Sequence, residues 1–136
     1  RLPGEYEWEW AAVGAQAEKA YPDKSILPAI AHFKENTSYR NPTQKIGTKD
    51  ANPIGLYDTV GNASEWVQDW HSTPYYANIP YQNPKGPETG TKRVHRGGNW
   101  SSTDKLLIPL NRSFDYESKK RNTLGFRCAK DFKAPE

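Results

Sequence analysis

Sulfur is nearly absent from this sequence, which contains one cysteine, Cys128, and no methionine. A single cysteine excludes an internal disulfide among these residues, and it matches none of the spacings of zinc sites or redox motifs. Free cysteine usually behaves as a small buried hydrophobe, so we expect Cys128 to be a buried free thiol. Cysteine usage leaves the cellular compartment open.

Long apolar runs are also missing. No hydrophobic segment reaches the roughly 20 residues that a helix needs to cross a bilayer, and the chain does not open with a signal-like segment. It starts abruptly at Arg1-Leu2-Pro3, so an upstream targeting segment is compatible with the sequence. We expect membrane association only through a lipid anchor upstream.

Charge of one sign is not concentrated in any large region. The 19 Lys and Arg residues are mixed with 16 Asp and Glu residues, which gives a net charge of +3. The densest positive run, Lys119-Lys120-Arg121, has no aromatic stacking platform beside it and is typical of a solvated loop. We therefore expect no nucleic-acid partner.

Aromatic residues, by contrast, are plentiful. Five Trp, eight Tyr and four Phe stand in a chain whose hydrophobic fraction is 35%, with 11 Pro and 10 Gly spread along it. Large rings bury much area per residue, which predicts an aromatic core. The Pro and Gly content indicates many turns and short elements, and 136 residues suit one domain.

The clearest helical pattern runs from Pro3 to about Lys19. Glutamates in its first turns suit the positive end of the helix dipole. Trp8 lies off the apolar stripe and is expected to pack on a second surface. The stripe itself recurs at helical spacing and consists of Tyr6, Trp10, Val13 and Ala17.

The rest of the chain is irregular except for two strand patterns. The segment through Lys49 and the segment from His71 to Thr91 are predicted to be long loops. Lys92–Trp100 alternates as a strand that stops at its glycine pair, where backbone can approach another segment closely. Ser101–Arg112 is predicted to be a loop, and Leu124–Ala129 a final short strand.

The central stretch, Gly55–Trp70, combines turn residues with carboxylates. Gly61 and Asn62 form a turn that accepts positive φ at little steric cost. Asp58 and Glu65 flank this turn, so their oxygens and the turn carbonyls can converge on one hard cation, which prefers six to eight oxygen ligands. The spacing is not that of an EF-hand loop. The alternative is that both carboxylates cap and solvate an ordinary turn.

Motifs along nearly the whole chain resemble the sulfatase-modifying-factor family, the family of the formylglycine-generating enzyme. The motifs occur in the family's order, in Arg1–Ala12, Gly55–Trp70, Arg93–Trp100 and Gly125–Cys128. The resemblance implies an α+β, C-type-lectin-like fold that is rich in loops. It also implies that residues 1–136 are the C-terminal portion of a single domain of this kind.

The resemblance implies a calcium ion at the central turn. In the family's metal-dependent members, the positions that match Asp58 and Glu65 provide side-chain oxygens to calcium. The positions that match Gly61 and Ala63 provide carbonyl oxygens. Because all four residues suit these roles, we expect Ca²⁺ as the cofactor.

Catalytic residues of the family are not retained. The formylglycine-generating enzyme oxidises a substrate cysteine with oxygen on a copper ion held by two thiolates, a soft pair suited to Cu(I). Those positions correspond to about Ser102 and Leu107 here, and neither residue is a thiol. The family's active-site Trp and Ser are replaced by Ser64 and Asn99. We therefore expect no catalytic residue in this chain.

The expected function is a non-catalytic, calcium-stabilised module that binds a protein partner in an extracytoplasmic assembly. The motifs are most similar to those of gliding-motility and type IX secretion lipoproteins. Recognition is expected in the loops Pro74–Pro87 and Ser101–Asp115, and Arg96 and Arg127 are expected to tie segments together. The alternative is an oxygen-dependent metalloenzyme, either a copper oxidase or an iron sulfoxide synthase. The oligomeric state stays open.

Overall fold

A computed structural model describes residues 1–14 and 22–132. Its regular elements are short, as the Pro and Gly content predicts. The helices are α1 (Glu5–Ala12), α2 (Leu27–Ile30) and α3 (Thr73–Tyr76), with 3₁₀ turns at Lys24–Ile26 and Asp104–Leu106. The strands are β1 (Ser64–Trp70), β2 (Arg93–Arg96), β3 (Arg112–Asp115) and β4 (Leu124–Phe126). The content confirms the α+β prediction.

The strands form one sheet in the order β3-β2-β1-β4. β1 pairs antiparallel with β2 and parallel with β4, and β2 pairs antiparallel with β3. The register between β1 and β2 shifts between Trp66 and Trp70, as at a β-bulge. β1 is therefore an inner strand, and its side chains position much of the candidate site.

Helix α1 lies against β1, and its first turn bonds to one acidic residue of that strand and one of its own. The carboxylate of Asp69 accepts a hydrogen bond from the Glu5 N–H at 2.6 Å, and Glu7 accepts one from the Gly4 N–H at 3.0 Å. These bonds satisfy donors that the first turn of a helix leaves free. The buried positions of β1 include Glu65, Val67 and Asp69, so no apolar alternation marks this strand in the sequence.

The apolar stripe predicted for α1 is wrong at Trp10, although its member Val13 is buried. The helix buries Glu5, Trp8 and Ala12, while Trp10 is 62% exposed. The 3.6-residue period fits either set, and the spacing alone does not reveal which face meets the sheet. The predicted extension to Lys19, including Ala17, lies outside the described residues from position 15 onward.

Two clusters of buried apolar side chains stabilise the fold. One joins α1 to the sheet through Trp8, Ala12, Val67 and Val94. The other joins α2 to the central turn through Leu27, Ala31, Phe33, Val60 and Leu107. Trp100 is buried as predicted, with its indole N–H donating to the Asn122 carbonyl at 3.1 Å. The predicted aromatic core holds only in part, because aliphatic residues form most of both clusters.

Several local predictions need correction. Helices α2 and α3 lie in segments that were predicted to be loops, and β3 begins at the end of the predicted loop Ser101–Arg112. Cys128 is a free thiol but is exposed, in the segment that follows the edge strand β4. No helix in the described part of the chain has the length and apolar character to span a membrane.

Candidate functional site

The central turn adopts the conformation that its residues predict. Gly61 has φ +79° and Asn62 has φ +57°. The Gly61 N–H donates to the Gly97 carbonyl at 2.8 Å, and the Asn62 N–H donates to the His32 carbonyl at 2.7 Å. A Cβ atom on Gly61 would stand 2.4 Å from the His32 oxygen. Glycine is required here by both conformation and space.

The Asn62 side chain fixes a neighbouring loop. Its Oδ1 accepts from the Gln44 N–H at 2.9 Å, and its Nδ2 donates to the Gln44 carbonyl at 3.2 Å. Its backbone carbonyl accepts from the Trp100 N–H at 2.8 Å. Asn62 thus connects three segments of the chain, which gives the turn a rigid surrounding.

Asp58 has one carboxylate oxygen that is buried without a hydrogen-bond partner. The residue is 9% exposed, and its Oδ2 accepts from the Gly47 N–H at 2.8 Å. Its Oδ1 has no partner among the described residues. A buried acceptor in that state costs about 1–3 kcal/mol, and such atoms often mark an ion or a water. Asp58 also has φ +55°, an uncommon conformation for a residue other than glycine.

Glu65 is held by an arginine and a tryptophan. Arg127 donates from Nε to Oε2 at 2.5 Å and from Nη2 to Oε1 at 2.6 Å. The Trp8 indole N–H donates to Oε2 at 2.7 Å. A carboxylate offers about four acceptor positions, so these three bonds leave Glu65 about one free acceptor position. The expected role of Arg127 in joining segments is confirmed, but its partner was not predicted.

Asp58 and Glu65 line one cavity of about 700 Å³. Ala63 and Arg127 line it too, so the structure brings together three of the four predicted calcium ligands. Gly61, which packs against the His32 backbone, is not among the described residues that line the cavity. Exposed apolar side chains also line the cavity, namely Ile46 at 79%, Tyr57 at 47% and Phe126 at 67% exposure. The site is therefore a polar floor with an apolar rim.

This donor set fits a hard cation through Asp58, whose Oδ1 is buried and unpartnered. Glu65 fits less readily because the Arg127 guanidinium already neutralises it. Among the described residues, no group of three or more His, Cys, Asp and Glu side chains is placed to hold a metal ion. A cation here would depend on carbonyl and water oxygens as well, which calcium accepts.

The positions expected for copper ligands in the family are filled by ordinary packing. The Ser102 hydroxyl accepts from the Asn99 N–H at 3.0 Å. Leu107 is 1% exposed and belongs to the core. A Cβ atom on Gly98 would stand 2.9 Å from a Leu107 methyl group, so the leucine is tightly enclosed. A hydroxyl and an aliphatic chain do not provide the soft ligands that Cu(I) prefers.

The two other replaced catalytic positions contact each other. The Asn99 Nδ2 donates to the Ser64 Oγ at 3.3 Å. The Asn99 Oδ1 accepts from the backbone and hydroxyl of Ser101 at 3.0 and 2.8 Å. This network satisfies the side chain of Asn99 through structural hydrogen bonds.

A buried ion network beside α1 was not foreseen as a network. The Arg96 side chain is fully buried and pairs with Glu9 and, at 3.4 Å, with Glu5. Arg112 also pairs with Glu5, whose side chain is 1% exposed. Burial raises the pKa of Glu5, and both arginines oppose that rise. The network joins the helix to β2 and β3, which makes it structural.

The three histidines contact different groups. His32 bonds to the Thr48 hydroxyl at 2.9 Å, His71 stacks on Phe114, and His95 lies edge-on to Trp66. Burial lowers the pKa of each. Among the described residues, these histidines do not form a common ligand set.

Comparisons with known proteins agree with this picture. The model of the family "Sulfatase-modifying factor enzyme 1-like domain" matches residues 1–132. The formylglycine-generating enzyme of Streptomyces coelicolor is 34% identical over 146 residues, covering 96% of this chain and 46% of that protein. The serine/threonine-protein kinase pkn1 of Chlamydia pneumoniae is 39% identical over 135 residues, covering 96% of this chain and 21% of that protein.

Solved structures share the fold. Treponema denticola variable protein 1 has a TM-score of 0.79 and 31% identity, over 93% of this chain and 45% of that one. PvdO from Pseudomonas aeruginosa has a TM-score of 0.73 over 93% of this chain and 50% of that one, and at 23% identity it supports the fold alone. This chain thus spans half or less of the proteins just named. It has the C-type-lectin-like fold and belongs to the family of sulfatase-modifying factor enzyme 1-like domains.

Proposed function

We propose that this domain is a non-catalytic, calcium-stabilised module that binds a protein partner. The observation that carries the proposal is that the Oδ1 of Asp58 is buried and has no partner among the described residues, in a residue that lines one cavity together with Glu65. A cation there would offset the cost of that oxygen. The domain would then bind a metal ion for stability without carrying out the oxidation chemistry of the formylglycine-generating enzyme.

Calcium is the cation that suits these donors best. The proposed ligands are the side-chain oxygens of Asp58 and Glu65 and the carbonyl oxygens of Gly61 and Ala63, with water completing the six to eight oxygens. Few carboxylates and a competing arginine imply a weak site. Millimolar calcium outside the cytoplasm would fill a weak site, so we propose an extracytoplasmic location.

Ser102 and Leu107 support the absence of copper-dependent oxidation. Both stand at the positions where thiolates are expected to hold copper, and both have packed, satisfied environments. The alternative, an oxygen-dependent metalloenzyme, is favoured by the 34% identity to a formylglycine-generating enzyme. Oxygen uptake with a cysteine-containing peptide separates the two. We expect a non-catalytic module to give the oxygen-uptake rate of buffer alone. Oxygen uptake that depends on protein concentration would support the enzyme.

Exposed apolar side chains on the expected recognition loops support a partner-binding surface. Tyr81 is 99% exposed, Leu106 is 54% exposed and Phe114 is 43% exposed. Such groups favour protein contacts when they cluster near polar residues. A relative named as a chaperone protein, LppX of Paenibacillus barcinonensis, is 32% identical over 133 residues, covering 85% of this chain and 44% of that protein.

Calcium should raise the melting temperature of the wild-type chain, and Asp58→Asn should remove that effect. At about 100 times the Kd, a ligand adds about 2.7 kcal/mol, which corresponds to a shift on the order of 10 °C. The measurement is thermal unfolding after chelation, with and without added calcium.

Asp50→Asn is the matched control for this experiment. Asp50 is exposed, and the substitution makes the same change of charge, so its calcium response should equal that of the wild type. A wild-type melting temperature that does not respond to calcium would overturn the calcium part of the proposal.

A further inference from the structure

We infer that Arg127 is a built-in cation that competes with calcium for Glu65. This inference rests on the proposed calcium site and concerns its control. The Nε and Nη2 donors of Arg127 reach the two Glu65 oxygens at 2.5 and 2.6 Å. Such paired, charge-assisted bonds are among the stronger polar contacts in proteins. The guanidinium thus holds the carboxylate that a metal ion would need.

The charges at the cavity argue for competition. Of the described residues that line it, the charged ones are Asp58, Glu65 and Arg127, which sum to a charge of about −1 when each is ionised. Adding Ca²⁺ beside a bound guanidinium would give about +1, with two cations repelling each other at short range. If the guanidinium leaves, the charges of the metal ion and the two carboxylates sum to about zero. Calcium binding and Arg127 binding therefore oppose each other.

The Arg127 side chain can move away from the site, whereas the Glu65 side chain is fixed. The Arg127 side chain is 26% exposed, follows the edge strand β4, and is next to Phe126, which is 67% exposed. It can move into water on its flexible stem without entering the core. Glu65 lies in the inner strand β1 with its side chain 10% exposed and is held by the Trp8 indole. Exchange of cations around a fixed carboxylate is the movement that this arrangement permits.

The exchange has a second consequence at the rim of the cavity. Arg127 also donates from Nη2 to the Tyr57 carbonyl at 2.9 Å, and both Tyr57 and Phe126 belong to the apolar rim. Displacing the guanidinium releases the contact between these two sides of the cavity. Calcium binding would therefore remove a contact at the apolar rim while it stabilises the carboxylates of the polar floor.

The test compares calcium affinity in Arg127→Gln, in the wild type and in Arg121→Gln by isothermal titration. Arg121 pairs with Asp115 on the surface, so Arg121→Gln removes the same charge without touching the cavity. We expect the Kd of Arg127→Gln to be at least tenfold lower than that of the wild type, and that of Arg121→Gln to change less than twofold.

A second readout uses the wild type, so the inference does not depend on the folding of a variant. The Trp8 indole N–H and the Arg127 Nε–H both donate to the Glu65 Oε2. Their NMR signals, assigned with Trp8→Phe and Arg127→Lys, should shift together on calcium addition. Exchange of the Arg127 Nε–H proton with water should become at least tenfold faster as its carboxylate partner is lost.

The outcomes separate this inference from the calcium proposal. Equal affinity in the wild type and Arg127→Gln, or an Arg127 Nε–H signal that calcium leaves unchanged, would overturn the competition and preserve the calcium site. Loss of calcium binding in Arg127→Gln alone would show that Arg127 supports the site and would overturn the competition. Absence of binding in every variant would overturn both.

Discussion

Replacing Arg96 by methionine is expected to lower the free energy of unfolding by about 3–5 kcal/mol, the usual cost of removing one partner from a buried ion pair. Arg96 is fully buried, pairs with Glu9 and Glu5, and donates from Nη1 to the Leu110 carbonyl at 2.9 Å. Without it, Arg112 is the one cationic partner that Glu5 keeps within the described part of the chain. At 1% exposure, Glu5 has no access to water that would compensate.

Urea unfolding of Arg96→Met and Lys24→Met measures this cost against a surface pair. Lys24 pairs with Asp104, and their side chains are 67% and 30% exposed. Exposed pairs contribute about 0–1 kcal/mol, so Lys24→Met should remain within that range of the wild type. If Arg96→Met also remains within it, the buried network does not stabilise the fold as described.

Replacing Gly61 by alanine is expected to lower the free energy of unfolding by about 2–5 kcal/mol. The left-handed conformation at φ +79° costs a residue with a Cβ atom roughly 1–2 kcal/mol. The new Cβ would also stand 2.4 Å from the His32 oxygen and 3.2 Å from the Ala31 Cβ. Relieving such overlap in a packed region costs a further 1–3 kcal/mol or so.

Gly55→Ala is the control that separates strain from overlap. Gly55 has φ +83°, and a Cβ atom there meets nothing within 4 Å. Its cost should be the conformational term alone, about 1–2 kcal/mol. Equal costs for the two variants in urea unfolding would contradict the close approach of Gly61 to the His32 backbone.

The local conformation of the site could be predicted from the sequence because it depends on neighbouring residues. Gly61 and Asn62 take positive φ angles, as expected of a Gly-Asn turn. The glycine pair after β2 also permits close approach, since a Cβ atom on Gly97 would stand 3.1 Å from the Thr59 carbonyl oxygen. These features follow from the steric properties of one or two residues.

The partners of buried charges could not be predicted from the sequence. Arg96 meets Glu9 across 87 positions, and Arg127 meets Glu65 across 62. Spacing along the chain carries no information about such contacts, which depend on strand order and on which helix face is buried. The same limit explains why the buried face of α1 was assigned to Trp10 instead of Trp8.

The central strand was missed for a chemical reason. Its buried positions include Glu65 and Asp69, which receive hydrogen bonds from the Trp8 indole and the Glu5 backbone. A strand that buries acids lacks the apolar alternation by which strands are identified. Glu65, one of the two carboxylates that suggested a cation site in the sequence, therefore also anchors helix α1.

The metal content of the purified chain, never exposed to chelator, tests the central claim most directly. Elemental mass spectrometry against protein concentration, after dialysis into copper- and iron-free buffer that contains millimolar calcium, reports the calcium in excess of the dialysate together with copper and iron. A non-catalytic, calcium-stabilised module predicts about one calcium per chain at the single proposed site, with copper and iron at background. Stoichiometric copper or iron, or calcium at background, would contradict it.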